Sequence, residues 1–486
     1  MAKTLQVRFK GRSSIRSLHE TVSFLTNKGD FDQALRLIHD FVERVFTEPL
    51  CVSQVFGSKT LDDLCQRIGK ANLVSIKEEL GCIEPKQADK PIFIYIVTKL
   101  QKSGGHTRII EDFIKARPEG EHVLLSTELA GRSRPNFLTG GLERRANITF
   151  KQAPKLLSLQ KRLGWLQRQL LEINSERVFL FNHHQDCVAV AAIQPEMKLN
   201  ASFYHHGDHH LSLGVYLSHL EHIDPHPMGF HHCRDALGIQ NVYMPLMIED
   251  KGKRPSDQPF MANGTLTTCT VGRANKIEIP YFISYLDVVP ELLKTTGGRH
   301  VHIGTLSPWA RYRIWRGMKR LGIAKERFVY ISWESNIWGA LHKYKIDLYI
   351  ASFPYGGGLT LVEAMGAGVP VALHEHIFSR VLAGIDLAYP EVFSWRYPEK
   401  LLSYCSSLTP EVLMRHSRLA RKQYESCHIP KVSWLEEGSK YTPAALSNEY
   451  DVLSDERAAW MTQQVSLHGV ISRLVYRILR RLRSYL

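Results

Sequence analysis

The chain has 486 residues, 44% of them hydrophobic and 23% charged, proportions that exclude a disordered, collagen-like or low-complexity protein. At ~100–200 residues per domain the length is too great for one core and predicts two large domains with accessories. Lys and Arg number 62 against 48 Asp and Glu, a formal net charge of +14, which favours an anionic partner: a nucleotide, a nucleic acid or a membrane surface.

In chain order, residues 13–85 read as helical, with Phe31, Leu35, Ile38, Val42 and Val45 recurring at spacings of three and four. Asp30 and Gln33 form an N-terminal capping pair. A small helical domain over 1–88 is expected. At residue 91 the texture changes: PIFIYIVTK is a continuous apolar run of the kind found in a parallel strand covered on both faces. A glycine turn and an amphipathic helix bearing Ile109, Ile110, Phe113 and Ile114 follow, then a second strand, EHVLLST. RVFLF (177–181), LNASFY (199–204) and NVYMPL (241–246) read as later strands, with QDCVAVAAI as a helical interval. Alternation of this kind predicts a doubly wound parallel sheet over 89–250.

Residues 247–264 are polar with Pro and Gly and read as a linker. A second α/β series then runs over 265–430. Its strands are TLTTCTVG (265–272), HVHIGT (300–305), FVYIS (328–332), IDLYIAS (346–352) and VPVALH (369–374), separated by four helical intervals. The fold class expected is therefore α/β, with two facing Rossmann-like domains and a ligand beyond the carboxyl ends of their strands. The remainder, 431–486, reads as helical. From 457 onward it has no acidic residue, and Val470, Ile471, Leu474, Val475, Ile478, Leu479 and Leu482 form one stripe flanked by Arg473, Arg477, Arg480, Arg481 and Arg483. Segment 466–486 fits an interfacial helix on an anionic leaflet; the alternative is a terminal helix packed on the N-terminal domain. Nucleic acid is not an expected partner, because the basic residues lack interleaved aromatics and no binding motif is present.

The eight cysteines contain no CxxC pair and read as reduced, buried thiols. The first residues lack the apolar core of a secretory signal, and no run reaches ~18 apolar residues. A cytoplasmic protein, peripheral on the inner face of the membrane, is the expectation.

The most informative stretch is DLYIASFPYGGGLTLVEAMGAGVPVAL (347–373): a strand, a turn at Gly356, Gly357 and Gly358, then a helix containing Leu359, Thr360 and Glu363. Bare glycines let a ligand approach the backbone, and the helix start offers N–H groups and positive dipole to a phosphate. Glu363 can accept hydrogen bonds from ribose hydroxyls. The bland alternative is a tight connection with a surface Glu. Upstream, TVGRANKI (270–277) ends a strand and brings Arg273 and Lys276 to the same sheet edge, where two cations suit a leaving diphosphate.

This order, strand–GRxxK, a strand ending IGT, then strand–FPYGGGLTLVEAMGAGVPV, resembles the donor domain of GT-B glycosyltransferases, especially the family 4-like group 1 enzymes of bacterial envelope polysaccharide synthesis. The resemblance covers roughly residues 90–430. It implies that Arg273 and Lys276 grip the donor phosphates and Glu363 the ribose. SGGHTR (103–108) stands where such enzymes carry a glycine loop after their first strand, which makes Gly104, Gly105 and His106 loop candidates at the acceptor side. Retaining members carry a second Glu eight residues before the ribose Glu. Here that position is Tyr355, and FPYGGG is similar to the FPFGN-type turn of inverting cytoplasmic N-glycosyltransferases, so the resemblance points toward inversion.

Eleven of 23 histidines fall between 183 and 232. A metal centre is one reading, since His and Asp at 205–210 are ligand types. Adjacent histidines on a strand point to opposite faces, however, and the family resemblance implies no bound metal, so none is expected. In the preferred reading FYHHGDHH leaves a strand at the site, with His206 as proton acceptor and Asp208 orienting the acceptor hydroxyl. A polar lining without a proton role is the alternative. His183, His184, Asp186, His374 and His376 are secondary candidates.

Together these features predict a glycosyltransferase moving a sugar from a nucleotide-diphosphate donor to a hydroxyl of a lipid-linked envelope glycan such as O-antigen, lipopolysaccharide or capsule. No cofactor is expected, the nucleotide sugar being a substrate. The alternatives are a protein glycosyltransferase and a non-catalytic scaffold, which Tyr355 would favour. Taking the five tail arginines from +14 leaves +9 over the rest. The basic excess thus addresses two anions, a diphosphate and a leaflet.

Overall fold

Three helices open the described chain: α1 (Ile15–Asn27), α2 (Phe31–Thr47) and α3 (Lys59–Leu80). The structure, a computed structural model, describes residues 15–47, 56–81, 89–100, 105–133, 138, 147–207, 210–279, 281–376, 384–431, 435 and 442–443. It divides into two units, the first comprising residues 1–225, 229–244 and 435–486, the second 226–228 and 245–434. Asp30 caps α2 through its carboxylate, which accepts from the Gln33 N–H at 3.2 Å, and Ser58 does the same for α3.

The first unit continues with β1 (Ile92–Val97), α4 (Gly105–Lys115), β2 (Glu121–Ser126), β3 (Ile148–Gln152), α5 (Leu159–Glu172), β4 (Arg177–Phe181), α6 (Cys187–Ala192), β5 (Ala201–Tyr204), β6 (Glu221–Asp224), α7 (Pro227–His231, shared at its start with the second unit) and β7 (Asn241–Tyr243). The sheet order is β3-β2-β1-β4-β5-β6-β7, and every neighbouring pair is parallel. Order reverses between β1 and β4, where Val97 lies beside Phe181, and a ligand site is expected past the carboxyl ends there.

The N-terminal helices share this unit's core: Ile38, Val42, Leu64 and Ile68 are buried with Val188, Ala189, Leu163 and Leu166. Close approach of α3 to α6 depends on Gly69, since a Cβ there would sit 1.8 Å from the Ala191 carbonyl oxygen. Polar groups, most of them buried, tie the helices down. Asp32 accepts from the Leu159 N–H at the start of α5 at 2.6 Å. Asp62, fully buried, accepts from the Gly214 and Tyr216 N–H groups at 2.7 and 2.8 Å. Asn72 donates to Gln167 at 2.8 Å, and Gln167 to the Gly69 carbonyl at 2.8 Å.

The second unit repeats the plan with β8 (Thr267–Val271), α8 (Ala274–Ile277), α9 (Tyr285–Thr296), β9 (Arg299–Ile303), α10 (Pro308–Arg320), β10 (Phe328–Ile331), α11 (Ile337–Lys343), β11 (Leu348–Ile350), α12 (Gly358–Gly366), β12 (Val371–His374), β13 (Phe393–Trp395), α13 (Pro398–Ser407) and α14 (Pro410–Cys427). Its order is β10-β9-β8-β11-β12-β13, again wholly parallel, with the reversal between β8 and β11. The stretch 247–264, read from sequence as a linker, is fastened to this unit. Arg254 lies 3.3 Å from Asp347, which also accepts the Met261 and Thr267 N–H groups, and Trp338 donates to the Gly252 carbonyl. Most of its polar residues are exposed, and Arg254 is the largely buried side chain that anchors it. Six cysteines fall among the described residues, all free thiols and all but Cys427 buried. No helix of the described residues is long and apolar enough to cross a membrane. The segment 466–486 lies outside the described residues.

Candidate active site

In the second unit, three strand ends converge because the residues just past two of them are glycines. Gly304 follows β9 at φ 131°, and a Cβ there would stand 2.1 Å from the Gly272 carbonyl oxygen. A Cβ on Gly272, which follows β8, would meet the Cβ of Ser352 at 2.9 Å. Only bare backbone fits, so β8, β9 and the exit of β11 close up and the loops leave from one edge. Sequence reading singled out neither glycine for this purpose.

The short helix α8 leaves that edge with Arg273 at its N-cap and exposed. One turn on, Lys276 reaches across to the glycine turn, where its ammonium donates to the Gly356 carbonyl at 2.7 Å. A Cβ on Gly357 would lie 3.1 Å from that ammonium and 2.7 Å from Thr360 Oγ1. Gly357 is the N-cap of α12, Thr360 donates to the Gly357 carbonyl at 3.1 Å, and Tyr349 donates to Thr360 at 3.2 Å. Gly356, Gly357, Gly358, Leu359 and Thr360 are all partly accessible, as is Glu363 further along α12. Burial, and then the Arg273 charge, pull the Lys276 ammonium down to about 8. The turn thus joins a cation of depressed basicity to the leading N–H groups of a helix, a combination suited to a polyanion.

In the first unit, His106, His183 and His206 meet at the carboxyl edge where strand order reverses. One ring nitrogen of each lies within 4.8 Å of the others. The His106 ring centroid is 4.5 Å from that of His206 and 5.2 Å from that of His183. Three different connections supply them: His106 is the second residue of α4, His183 follows β4 and His206 follows β5. His183 is held by its backbone N–H, which donates to Thr98 Oγ1 at 2.8 Å. His106 Nε2 lies 3.0 Å from the Phe181 carbonyl, which can only accept, so Nε2 carries the proton and Nδ1 presents a lone pair. Nδ1 is buried and makes no hydrogen bond. Burial, against the opposing pull of the Phe181 carbonyl, lowers His106 to about 4 and keeps it neutral at pH 7.

Other candidates fall elsewhere. Gly104 and Asp208 lie outside the described residues, while Gly105 is the first residue of α4. Asp186 is buried and caps α6, accepting from Ala189 N–H at 2.9 Å and from Thr98 and Thr127 hydroxyls at 2.6 Å each. It braces the ends of β1 and β2. His184 is buried against Gly207, where a Cβ would come within 3.0 Å of its ring. His374 engages both nitrogens, with the Trp395 carbonyl and the Tyr281 hydroxyl, and so caps the sheet. His376 stacks on Tyr281 at 4.8 Å.

The adjacent pair His205–His206 is split between two groups, as strand alternation requires. His205 turns inward to His222, Asp224 and Cys233, all buried. Burial alone would raise the Asp224 carboxyl, yet the His222 and His205 imidazoles hold it well below the usual range. The sequence carried this group in FYHHGD, SHLEHID and FHHCRD, but only the pairing of β5 with β6 assembles it.

The two-sheet fold is shared with solved glycosyltransferases. Anabaena HepE, solved in complex with UDP and glucose, superposes with a TM-score of 0.52 at 10% identity, covering 71% of this chain and 97% of that one. A glycosyltransferase from Rickettsia africae gives 0.50 at 13% identity, covering 72% and 96%. The fold is GT-B. No protein-family model matches the chain, and no curated protein matches its sequence. In the GT-B frame, the Lys276 turn belongs to the C-terminal Rossmann-like unit and the His106, His183 and His206 group to the N-terminal one.

Proposed function

We propose that this GT-B protein is a glycosyltransferase that moves a sugar from a nucleoside-diphosphate donor to an acceptor hydroxyl. The observation that carries the proposal is the Lys276 ammonium set on the glycine turn at the start of α12. It supports a role in which the second unit receives the donor diphosphate on Lys276, Arg273 and the N–H groups of Gly358–Thr360, with Glu363 on the ribose. As the glycosidic bond to the diphosphate breaks, negative charge grows on the leaving oxygen, and preorganised donors stabilise it most where water is scarce.

The first unit activates the acceptor. His206 takes the hydroxyl proton as the new bond to the anomeric carbon forms. His106 is too weak a base at about 4 for that task and instead accepts a hydrogen bond at Nδ1, orienting the nucleophile. Asp208, two residues on, assists in orientation. Tyr355 stands where a retaining enzyme would place a carboxylate, which supports inversion by direct displacement.

The acceptor proposed is a lipid-linked envelope glycan such as O-antigen, lipopolysaccharide or capsule, reached by a cytoplasmic protein held on the inner membrane face by 466–486. Its support is the apolar stripe of that segment with its five flanking arginines.

The test is release of nucleoside diphosphate from a panel of nucleotide sugars, with and without lipid-linked acceptor. His206→Ala should lower transfer about 10²–10⁴-fold while leaving nucleotide affinity intact. Glu363→Ala should weaken nucleotide binding. Absence of both nucleotide binding and sugar release across the panel would refute the proposal.

A further inference from the structure

We propose that His205, His222, Asp224 and Cys233 form a buried zinc site that fastens the ends of β5 and β6 to the turn beyond α7. The four side chains supply two imidazole nitrogens, a carboxylate oxygen and a sulfur, all within 4.8 Å of one another and all from the first unit. Zinc at about 2.0–2.1 Å from nitrogen or oxygen and about 2.3 Å from sulfur sets tetrahedral edges of about 3.3 Å between light ligands and about 3.5 Å to sulfur. Four of the six edges, counting either carboxylate oxygen, are close to these, and the other two lie within 4.8 Å. Cys233 Sγ stands 3.6 Å from His205 Nδ1 and 3.6 Å from Asp224 Oδ1. His205 Nδ1 to Asp224 Oδ1 is 2.9 Å, and His222 Nε2 to Asp224 Oδ2 is 3.2 Å. His222 Nε2 faces the carboxylate, which places its ligating nitrogen in the group.

The surroundings are those of a structural site. Asn241 donates to Asp224 Oδ2 at 2.6 Å and also to the Phe230 carbonyl at 2.9 Å, fixing the carboxylate from behind. Phe203 stacks on His205 at 5.5 Å and meets His222 edge-on at 5.2 Å, and Phe56 lies edge-on to His205 at 6.4 Å. Cys233 enters from a π-helical turn, His232–Ala236, a departure from α geometry that puts its sulfur in the group. Thiolate, imidazole and carboxylate together select zinc over the hard cations. With four protein ligands the site is closed. Binding converts the Cys233 thiol to a thiolate with loss of one proton to solvent, and the ion replaces the protons that the imidazoles would otherwise need beside a buried carboxylate. Because His205 precedes His206, the ion also holds the turn on which the His106, His183 and His206 group depends.

The full chain, purified from zinc-supplemented culture and desalted, is assayed for bound metal by mass spectrometry, then stripped and titrated with Co²⁺. One equivalent of zinc per chain is expected. Cobalt should show tetrahedral visible bands and a thiolate charge-transfer band in the near ultraviolet. Cys233→Ser should lose that band and bind Co²⁺ about tenfold or more weakly, whereas Cys427→Ser should keep both. If Cys233→Ser does not fold, the wild-type band together with weakened binding in Asp224→Asn supports the site. Metal well below one equivalent after reconstitution overturns it and leaves a hydrogen-bonded network. A cobalt complex without a thiolate band also overturns it, assigning the ion to His106, His183 and His206.

Discussion

Replacing Lys276 by Met keeps the aliphatic stem and removes the ammonium, and the structure gives both consequences a sign. The depressed value of about 8 against 10.5 means that burying the charge costs stability. Below about 8 the lysine is charged in both folded and unfolded states, so this cost is fully present at pH 7. The shift corresponds to about 3.4 kcal/mol at most, and partial access of solvent reduces this to roughly 1–2 kcal/mol. The lost hydrogen bond to the Gly356 carbonyl is replaced by water, since that residue is partly exposed. Lys276→Met should therefore melt several degrees higher than the wild type by differential scanning fluorimetry. Nucleotide binding should move the other way. One charge-assisted hydrogen bond to a phosphate is worth about 1.5–3 kcal/mol, roughly a 10–150-fold loss of affinity for a nucleoside diphosphate by calorimetry. Wild-type affinity should weaken as pH rises from 8 to 9.5, while the variant stays flat. A variant that melts lower and binds as tightly as wild type would refute the reasoning and leave Lys276 as a brace for the turn.

Gly304→Ala should cost about 3 kcal/mol or more in urea unfolding, because its Cβ meets the Gly272 carbonyl at 2.1 Å; Gly297→Ala, also at positive φ but in open space, should cost about 1 kcal/mol. Equal costs would show that the convergence of β8 and β9 does not depend on bare backbone. Asp186→Ala strands two hydroxyls and a helix N–H and should lose about 3 kcal/mol, with Asp186→Asn recovering most of it. A harmless Ala variant would dismiss the bracing role. Burial holds His300 at about 3, His302 at about 4 and His374 at about 4, all below the usual 6.5. The folded form therefore binds fewer protons, and stability should fall as pH drops from 6.5 toward 4, by up to about 4 kcal/mol per pH unit. A urea midpoint constant between pH 7 and 4.5 would contradict this.

How far the site was legible follows from where its parts lie in the chain. Gly356–Thr360 and Lys276 could be singled out because strand, glycine turn and helix are contiguous, and local rules govern each. EHID and FSW were not predicted because they span only four and three positions, and ITFKQ because its alternation of Ile148 and Phe150 with polar residues is confined to five positions. They are strands because a paired neighbour supplies their hydrogen bonds. Asp186 looked like a site residue in HHQD and is a buried cap.

By itself the sequence determined the two α/β series, their strand-to-helix turns and the cationic residues at the second reversal point, because apolar periodicity and glycine placement act over a few residues. Only the tertiary structure decided which histidines lie together. His106, His183 and His206 are brought together by β1, β4 and β5 lying side by side, and His205 is turned from its neighbour toward Cys233 by the opposite faces of one strand. Residues separated by up to 100 positions meet through backbone pairing, which no local pattern encodes.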